Sequence, residues 1–166
     1  GSDKYKYERI GLNGRLDTIQ AAILLEKLKI FKSELIERNK IADYYKKAFK
    51  TLNTNIKLPE IIPNAKSSWA QFTIQLPESC DRDELQLRLK NKNIPTAIYY
   101  PIPIHCQTPY KNFPISSDNL KNTNILSKNV ISLPMHPYLT IKNIEYITET
   151  LHDILNDWKQ INFLPT

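Results

Sequence analysis

The spacing of apolar and polar positions predicts helices at both ends of the chain and short strands between them. Ile19, Ala22, Ile23, Leu24, Leu25 and Leu28 are apolar almost all the way round a helix. A helix of that kind is buried on most sides, which in a short chain implies cover from a second subunit or a further domain. Asp17, with Gln20 three residues on, has the capping-box spacing that opens such a helix. From about Lys32 to Leu52 a second pattern takes over: Leu35, Ala42, Tyr45, Phe49 and Leu52 form one stripe, flanked by Ile41, Tyr44 and Ala48. Residues 17–52 therefore read as a helical hairpin, preceded by a lead-in segment and turn over residues 1–16.

Pro59 and Pro63 mark the next stretch as a loop. Ser68 to Leu76 then alternates, with Ala70, Phe72, Ile74 and Leu76 on one side and Trp69, Gln71, Thr73 and Gln75 on the other, as in a half-buried strand. Asp81 and Glu84 repeat the capping-box spacing and open a short helix to about Lys92. Ile94 to Tyr99 reads as a second strand, near an edge because of Pro95. Pro101, Pro103, Pro109 and Pro114 stiffen the following stretch and forbid regular structure. A helix capped by Ser116 or Ser117 runs to about Lys128, and Val130 to Leu133 makes a third strand. Thr140 starts the last helix, whose seam is Ile144, Ile147, Leu151, Ile154, Trp158 and Ile161. The expected fold class is α/β in the broad sense (α+β): two N-terminal helices, then a small α/β domain over residues 68–164 with a three-stranded sheet and packed helices.

The length of 166 residues suits a single domain with a true core. The net charge of +6 contains no run of five like charges, and an anionic metabolite explains it as well as nucleic acid does. Cys80 and Cys106 form neither a disulfide framework nor a metal pattern, which implies reduced thiols, a cytoplasmic setting and no metal site. No apolar run reaches the length of a membrane span, so no membrane partner is expected. Gly1-Ser2 reads as an expression scar.

Two stretches carry candidate chemistry. The turn Gly11 to Arg15 feeds a helix N-terminus, where free N–H groups favour an anion. Asn13 adds an amide donor there, and Arg15 adds a fork suited to phosphate or carboxylate. A plain Asn-Gly turn is the simpler account of the same residues. Tyr99 to Pro114 is the other stretch, a rigid loop carrying His105, where loops of this kind tend to hold function. An isolated histidine is more often structural than chemical, and the same holds for His136 and His152. Tyr99, Tyr100, Gln107 and Tyr110 are placed to line a pocket, but loop packing is the commoner role for each. Cys106 beside His105 makes no nucleophile pair, since neighbours on an extended chain point apart.

GLNGRLDTIQAAIL (Gly11 to Leu24), Arg38, Ala42 and Tyr45, YYPIPIHCQTPY (Tyr99 to Tyr110) and SLPMHPYL (Ser132 to Leu139) together resemble the DegT/DnrJ/StrS sugar aminotransferases, which use pyridoxal phosphate. The resemblance covers nearly the whole chain and implies the small, largely antiparallel-sheet domain of fold-type-I enzymes. It implies that Asn13 reaches across a dimer to the cofactor phosphate, that Arg15 contacts a nucleotide-linked sugar across the same dimer, and that His105 lines the substrate side. The Schiff-base lysine and the acid facing the pyridine nitrogen lie upstream of GLNGR in the family. No catalytic residue is therefore expected in this chain, and no covalently bound cofactor. Its expected partners are a second copy or the N-terminal half of the enzyme, with a UDP-linked keto sugar of polysaccharide or O-antigen biosynthesis as substrate. The alternatives are a dehydratase of the same family and a small basic nucleic-acid-binding module. The strand face carrying Trp69, Gln and Thr without Lys or Arg argues against the module.

Overall fold

The computed structural model describes residues 14–52, 54–110, 112–116 and 118–162, with side chains described to 158. The chain divides into two compact units, Gly1–Glu34 and Leu35–Thr166. The elements are α1 (Thr18–Thr51), β1 (Phe72–Gln75), α2 (Arg82–Asn91), α3 (Lys121–Asn129), β2 (Val130–Leu133) and α4 (Ile141–Asn162).

The expected helical hairpin is a single helix, α1, of 34 residues. No glycine or proline interrupts its sequence, so the change of apolar face near Ile30 produces no break. Asp17 caps it as expected, its Oδ1 accepting the Ile19 N–H at 3.1 Å. Within the first unit, Leu16, Ile19, Leu25 and Leu28 are each more than 60% exposed.

In the second unit, α1 buries Ile41, Ala42, Tyr45 and Phe49. These join a core with Phe72, Ile74, Leu76, Leu85, Leu89, Ile131, Leu133, Ile144, Ile147, Leu151 and Ile154. The α4 seam is thus as the spacing predicts through Ile154. Trp158 is partly buried against the same core, and the Ile161 side chain lies outside the described residues. Thr140 caps α4 with Asn143 in the reciprocal position: the Asn143 N–H meets Thr140 Oγ1 at 3.2 Å, and the Thr140 N–H meets Asn143 Oδ1 at 3.0 Å. Asp81 caps α2, accepting the Asp83 and Glu84 N–H groups at 3.0 Å each. The Glu84 carboxylate turns instead to Arg88, at 2.8 Å.

The sheet is smaller than expected. β1 and β2 pair antiparallel, Phe72 opposite Leu133 through Gln75 opposite Val130. Lys57 bridges to Gln75 on one side, and Ala97 to Ser132 on the other. The expected strand Ile94–Tyr99 is reduced to that one bridge. Pro95 has no N–H to give, and Pro101 follows closely. The strand expected from Ser68 starts only at Phe72, because Trp69 has φ 47°. This left-handed residue turns its ring inward, so Trp69 is buried and Ala70 exposed, the reverse of simple alternation. Trp69 is held there by Asn39 Oδ1 on its indole N–H at 3.1 Å and by Arg38 on its carbonyl at 3.0 Å. The expected Ser116 does not cap α3. Leu120 stands at its N-cap in a left-handed conformation, and Asp118 Oδ1 accepts the Leu120 N–H at 3.0 Å. That bond, followed by one from the Ser116 hydroxyl, holds the Asp118 carboxyl below the usual carboxylate range. Ser117 lies outside the described residues.

Among the described residues no helix is long and apolar enough to cross a membrane, and no cluster of His, Cys, Asp and Glu is arranged to hold a metal.

Burial pushes the Cys80 thiol up to about 12, with the Asp81 charge adding to it, and burial raises the Tyr45 phenol as well. In the unfolded chain both groups lose their protons at their ordinary, lower values. Above those values the unfolded state binds fewer protons than the folded one, so folding stability falls as pH rises. Urea unfolding between pH 8 and 11 is expected to show that decline, and Cys80→Ala is expected to make it shallower.

Candidate functional site

In the first unit the turn Gly14 to Asp17 leads directly into α1. Arg15 is exposed. No described glycine has positive φ, and a Cβ placed on Gly14 would meet nothing within 4 Å. Gly14 thus has open space around it and does not use the left-handed backbone that an Asn-Gly pair commonly supplies. Asn13 lies outside the described residues.

The second unit carries the proline-rich loop. Among the described residues of this loop, two 3₁₀ turns, Ile104–Cys106 and Thr108–Tyr110, are the regular structure. The Cys106 N–H donates to the Pro103 carbonyl at 2.9 Å and the Gln107 N–H to the Ile104 carbonyl at 3.0 Å. Pro103 fixes the entry to this turn at φ −59°, which sets the position of His105. The His105 ring is half-buried, and its Nδ1 is sealed from solvent without a hydrogen-bond partner.

Beside this turn lies a groove of about 560 Å³ between the loop and α3. The loop contributes Tyr99, Tyr100, Ile102, Ile104 and Gln107; α3 and the first residue of β2 contribute Thr123, Leu126, Ser127 and Val130. Apolar walls with a few polar groups are the usual form of a small-molecule site. Of the two roles open to them, Tyr99 and Tyr100 take pocket lining rather than packing: they are 45% and 73% exposed and line the groove, as does Gln107. Tyr110 instead pairs with Phe113, ring centroids 5.8 Å apart. His105 itself does not line the groove, and Cys106 is exposed. The α3 wall was not marked by any motif. Its residues reach the groove because the Arg82 guanidinium on α2 donates to the Ser127 carbonyl, while the Leu76 N–H takes the Asn129 carbonyl at 2.8 Å.

The fold is shared with aminotransferases of solved structure. A DegT DnrJ EryC1 StrS aminotransferase from Brucella abortus superposes with a TM-score of 0.80 at 40% identity, covering 93% of this chain and 40% of that one. S. venezuelae DesV, solved in complex with a ketimine intermediate, superposes with a TM-score of 0.78 at 28% identity over the same shares. Residues 1–152 match the DegT/DnrJ/EryC1/StrS aminotransferase family, and the chain belongs to it. The UDP-2-acetamido-2-deoxy-3-oxo-D-glucuronate aminotransferase of Pseudomonas aeruginosa is 39% identical over 155 residues, covering 91% of this chain and 40% of that protein. The dTDP-3-amino-3,6-dideoxy-alpha-D-galactopyranose transaminase of Aneurinibacillus thermoaerophilus is 35% identical over 159 residues, 92% of this chain and 40% of that protein. The chain thus spans about 40% of the length of these curated relatives.

The Arg82 side chain is only 11% exposed and holds the carbonyl end of α3. Replacing it by Met keeps the stem and removes the charged donor. Arg82→Met is expected to cost about 1–3 kcal/mol, read as a lower urea midpoint at unchanged slope.

Proposed function

We propose that this chain is the C-terminal portion of a pyridoxal-phosphate-dependent aminotransferase acting on nucleotide-linked keto sugars. The observation that carries the reading is family membership over residues 1–152, together with a span of about 40% of the relatives' length. A spore coat polysaccharide biosynthesis protein, SpsC of Bacillus subtilis, is 27% identical over 160 residues and supports polysaccharide biosynthesis as the setting.

In this reading Asn13 and Arg15 serve the cofactor phosphate and the substrate of a neighbouring subunit, and His105 serves the sugar. The guanidinium of Arg15 is exposed and suits a diphosphate or a sugar carboxylate. Pyridoxal phosphate supplies an electron sink once its aldehyde is bound to an amine. Among the described residues no lysine and no carboxylate lines the groove. These residues fit a substrate-side wall but not the covalent seat of the cofactor, and in this reading the amine belongs to sequence that the relatives have beyond the matched 40%.

Two tests follow from this reading. Pyridoxal phosphate added to this chain is expected to give no aldimine absorbance that depends on one particular lysine. A chimera in which this chain replaces the matched 40% of the Pseudomonas aeruginosa relative is expected to transaminate that enzyme's substrate. In the chimera His105→Ala is expected to lower kcat/KM by about 10–100-fold, the range for a lost hydrogen bond to a charged or polarised group. A chimera that folds and binds cofactor yet shows no turnover would overturn the assignment.

Within the first unit α1 leaves Ile19, Leu25 and Leu28 exposed, and exposed apolar groups gathered on one element mark an interaction surface. Sedimentation is expected to show concentration-dependent self-association, weakened by Leu25→Lys with Leu28→Lys.

A further inference from the structure

We infer that the groove between the proline-braced loop and α3 takes the uracil ring of a UDP-linked sugar, with Tyr99 and Tyr100 against the ring and Gln107 on its imide edge. This rests on the reading of the chain as acting on nucleotide-linked keto sugars, and adds which part of the substrate this wall receives. Such a substrate has three chemically distinct parts: a charged diphosphate, a hydroxyl-rich sugar and a flat base. A diphosphate calls for cationic donors, and among the described residues no Lys or Arg lines the groove. A sugar ring calls for a polar partner at most of its hydroxyls. Apart from the two tyrosines, the polar side chains of the groove are Gln107, Thr123 and Ser127, and the Ser127 hydroxyl already donates to the Asn124 carbonyl at 3.0 Å. What remains is sparse for a sugar and sufficient for one edge of a base.

Recognition of an unstacked base combines aromatic surface with hydrogen bonds to the base edge, and the groove supplies both. The Tyr99 and Tyr100 rings stand 5.7 Å apart with their planes at 74°, so a flat ligand meets a face of one and an edge of the other. The Gln107 side chain sets a carbonyl acceptor beside an NH₂ donor, which matches the N3–H and a neighbouring carbonyl of uracil. Among the described residues that amide has no hydrogen-bond partner, so no internal bond is broken when it binds. Both walls are fixed in advance. The Gln107 N–H closes on the Ile104 carbonyl at 3.0 Å, and the Arg82 guanidinium holds the Ser127 carbonyl on the α3 side. The groove volume of about 560 Å³ lies within the usual range for small-molecule pockets.

The test is a titration of this chain with uridine, followed by its backbone amide signals in proton–nitrogen NMR spectra. The expected result is a set of shifts confined to the loop from Tyr99 to Gln107 and to α3 with Val130, saturating in the millimolar range. Tyr100→Ala is expected to weaken binding by at least about fivefold. 3-Methyluridine, which lacks the N3–H, is expected to bind about 2–10-fold more weakly than uridine. Gln107→Leu is expected to erase that difference. Tyr100 and Gln107 are both exposed, and the comparison of the two nucleosides on the unaltered chain stands whether or not either variant folds. The absence of shifts at the solubility limit of uridine, shifts outside the groove, or equal binding of the two nucleosides overturns the inference. The same groove shifts from ribose or inorganic pyrophosphate alone overturn it in favour of another part of the substrate. Groove shifts that follow protein concentration without ligand overturn it in favour of a second copy. The readout involves no turnover, so its failure is separate from failure of the aminotransferase reading, which the chimera tests.

Discussion

Three backbone carbonyls at the ends of the small sheet lie where no strand N–H donates to them, and two side chains of α1 take them up. Arg38 donates to the carbonyls of Trp69 and Met135, at 3.0 and 3.2 Å, and the Tyr45 hydroxyl donates to that of Pro134 at 2.9 Å. Buried carbonyls must be paired, and the cost of leaving one unpaired exceeds the gain from pairing it. The sequence segments before β1 and after β2 are therefore fastened to the same helical face. The Tyr45 ring stacks on Phe72, centroids 4.7 Å apart, so the polar ties and the core meet in one residue. That arrangement allows a sheet of two four-residue strands to stand as the centre of a 132-residue unit, Leu35–Thr166.

Elements whose signal is local were legible from the residues alone. Asp81 and Thr140 cap their helices because a short polar side chain beside free N–H groups has few better partners. The α4 seam is buried through Ile154 because a period of three and four leaves one face to bury. What escaped the pattern depended on distant groups. Trp69 looked like the outer face of a strand, yet its left-handed backbone is secured by Arg38 and Asn39, about thirty positions earlier. The break expected within α1 rested on a change of apolar face, but a helix ends where its backbone is obstructed, and nothing obstructs it before Thr51.

The site divides in the same way. Proline spacing announced a braced loop, and a braced loop is present around His105. Family resemblance pointed to His105 and Arg15, while Asn13 lies outside the described residues. The groove beside the loop had no signature, since one of its walls comes from α3, whose Thr123, Leu126 and Ser127 follow an ordinary helical pattern. Their place is set by Arg82 from α2, a link between residues 45 positions apart that composition and period do not encode.

The one-residue bridges at Lys57 and Ala97 have a bearing on how the chain behaves when crowded. Each flanks the two-stranded sheet, and each has a proline two residues away, Pro59 and Pro95. A strand end that can offer only one paired residue before a missing N–H gives an incoming chain no row of free groups to copy. The fold thereby blunts both sides of its sheet with the same residue type, and edge-to-edge polymerisation finds no template there.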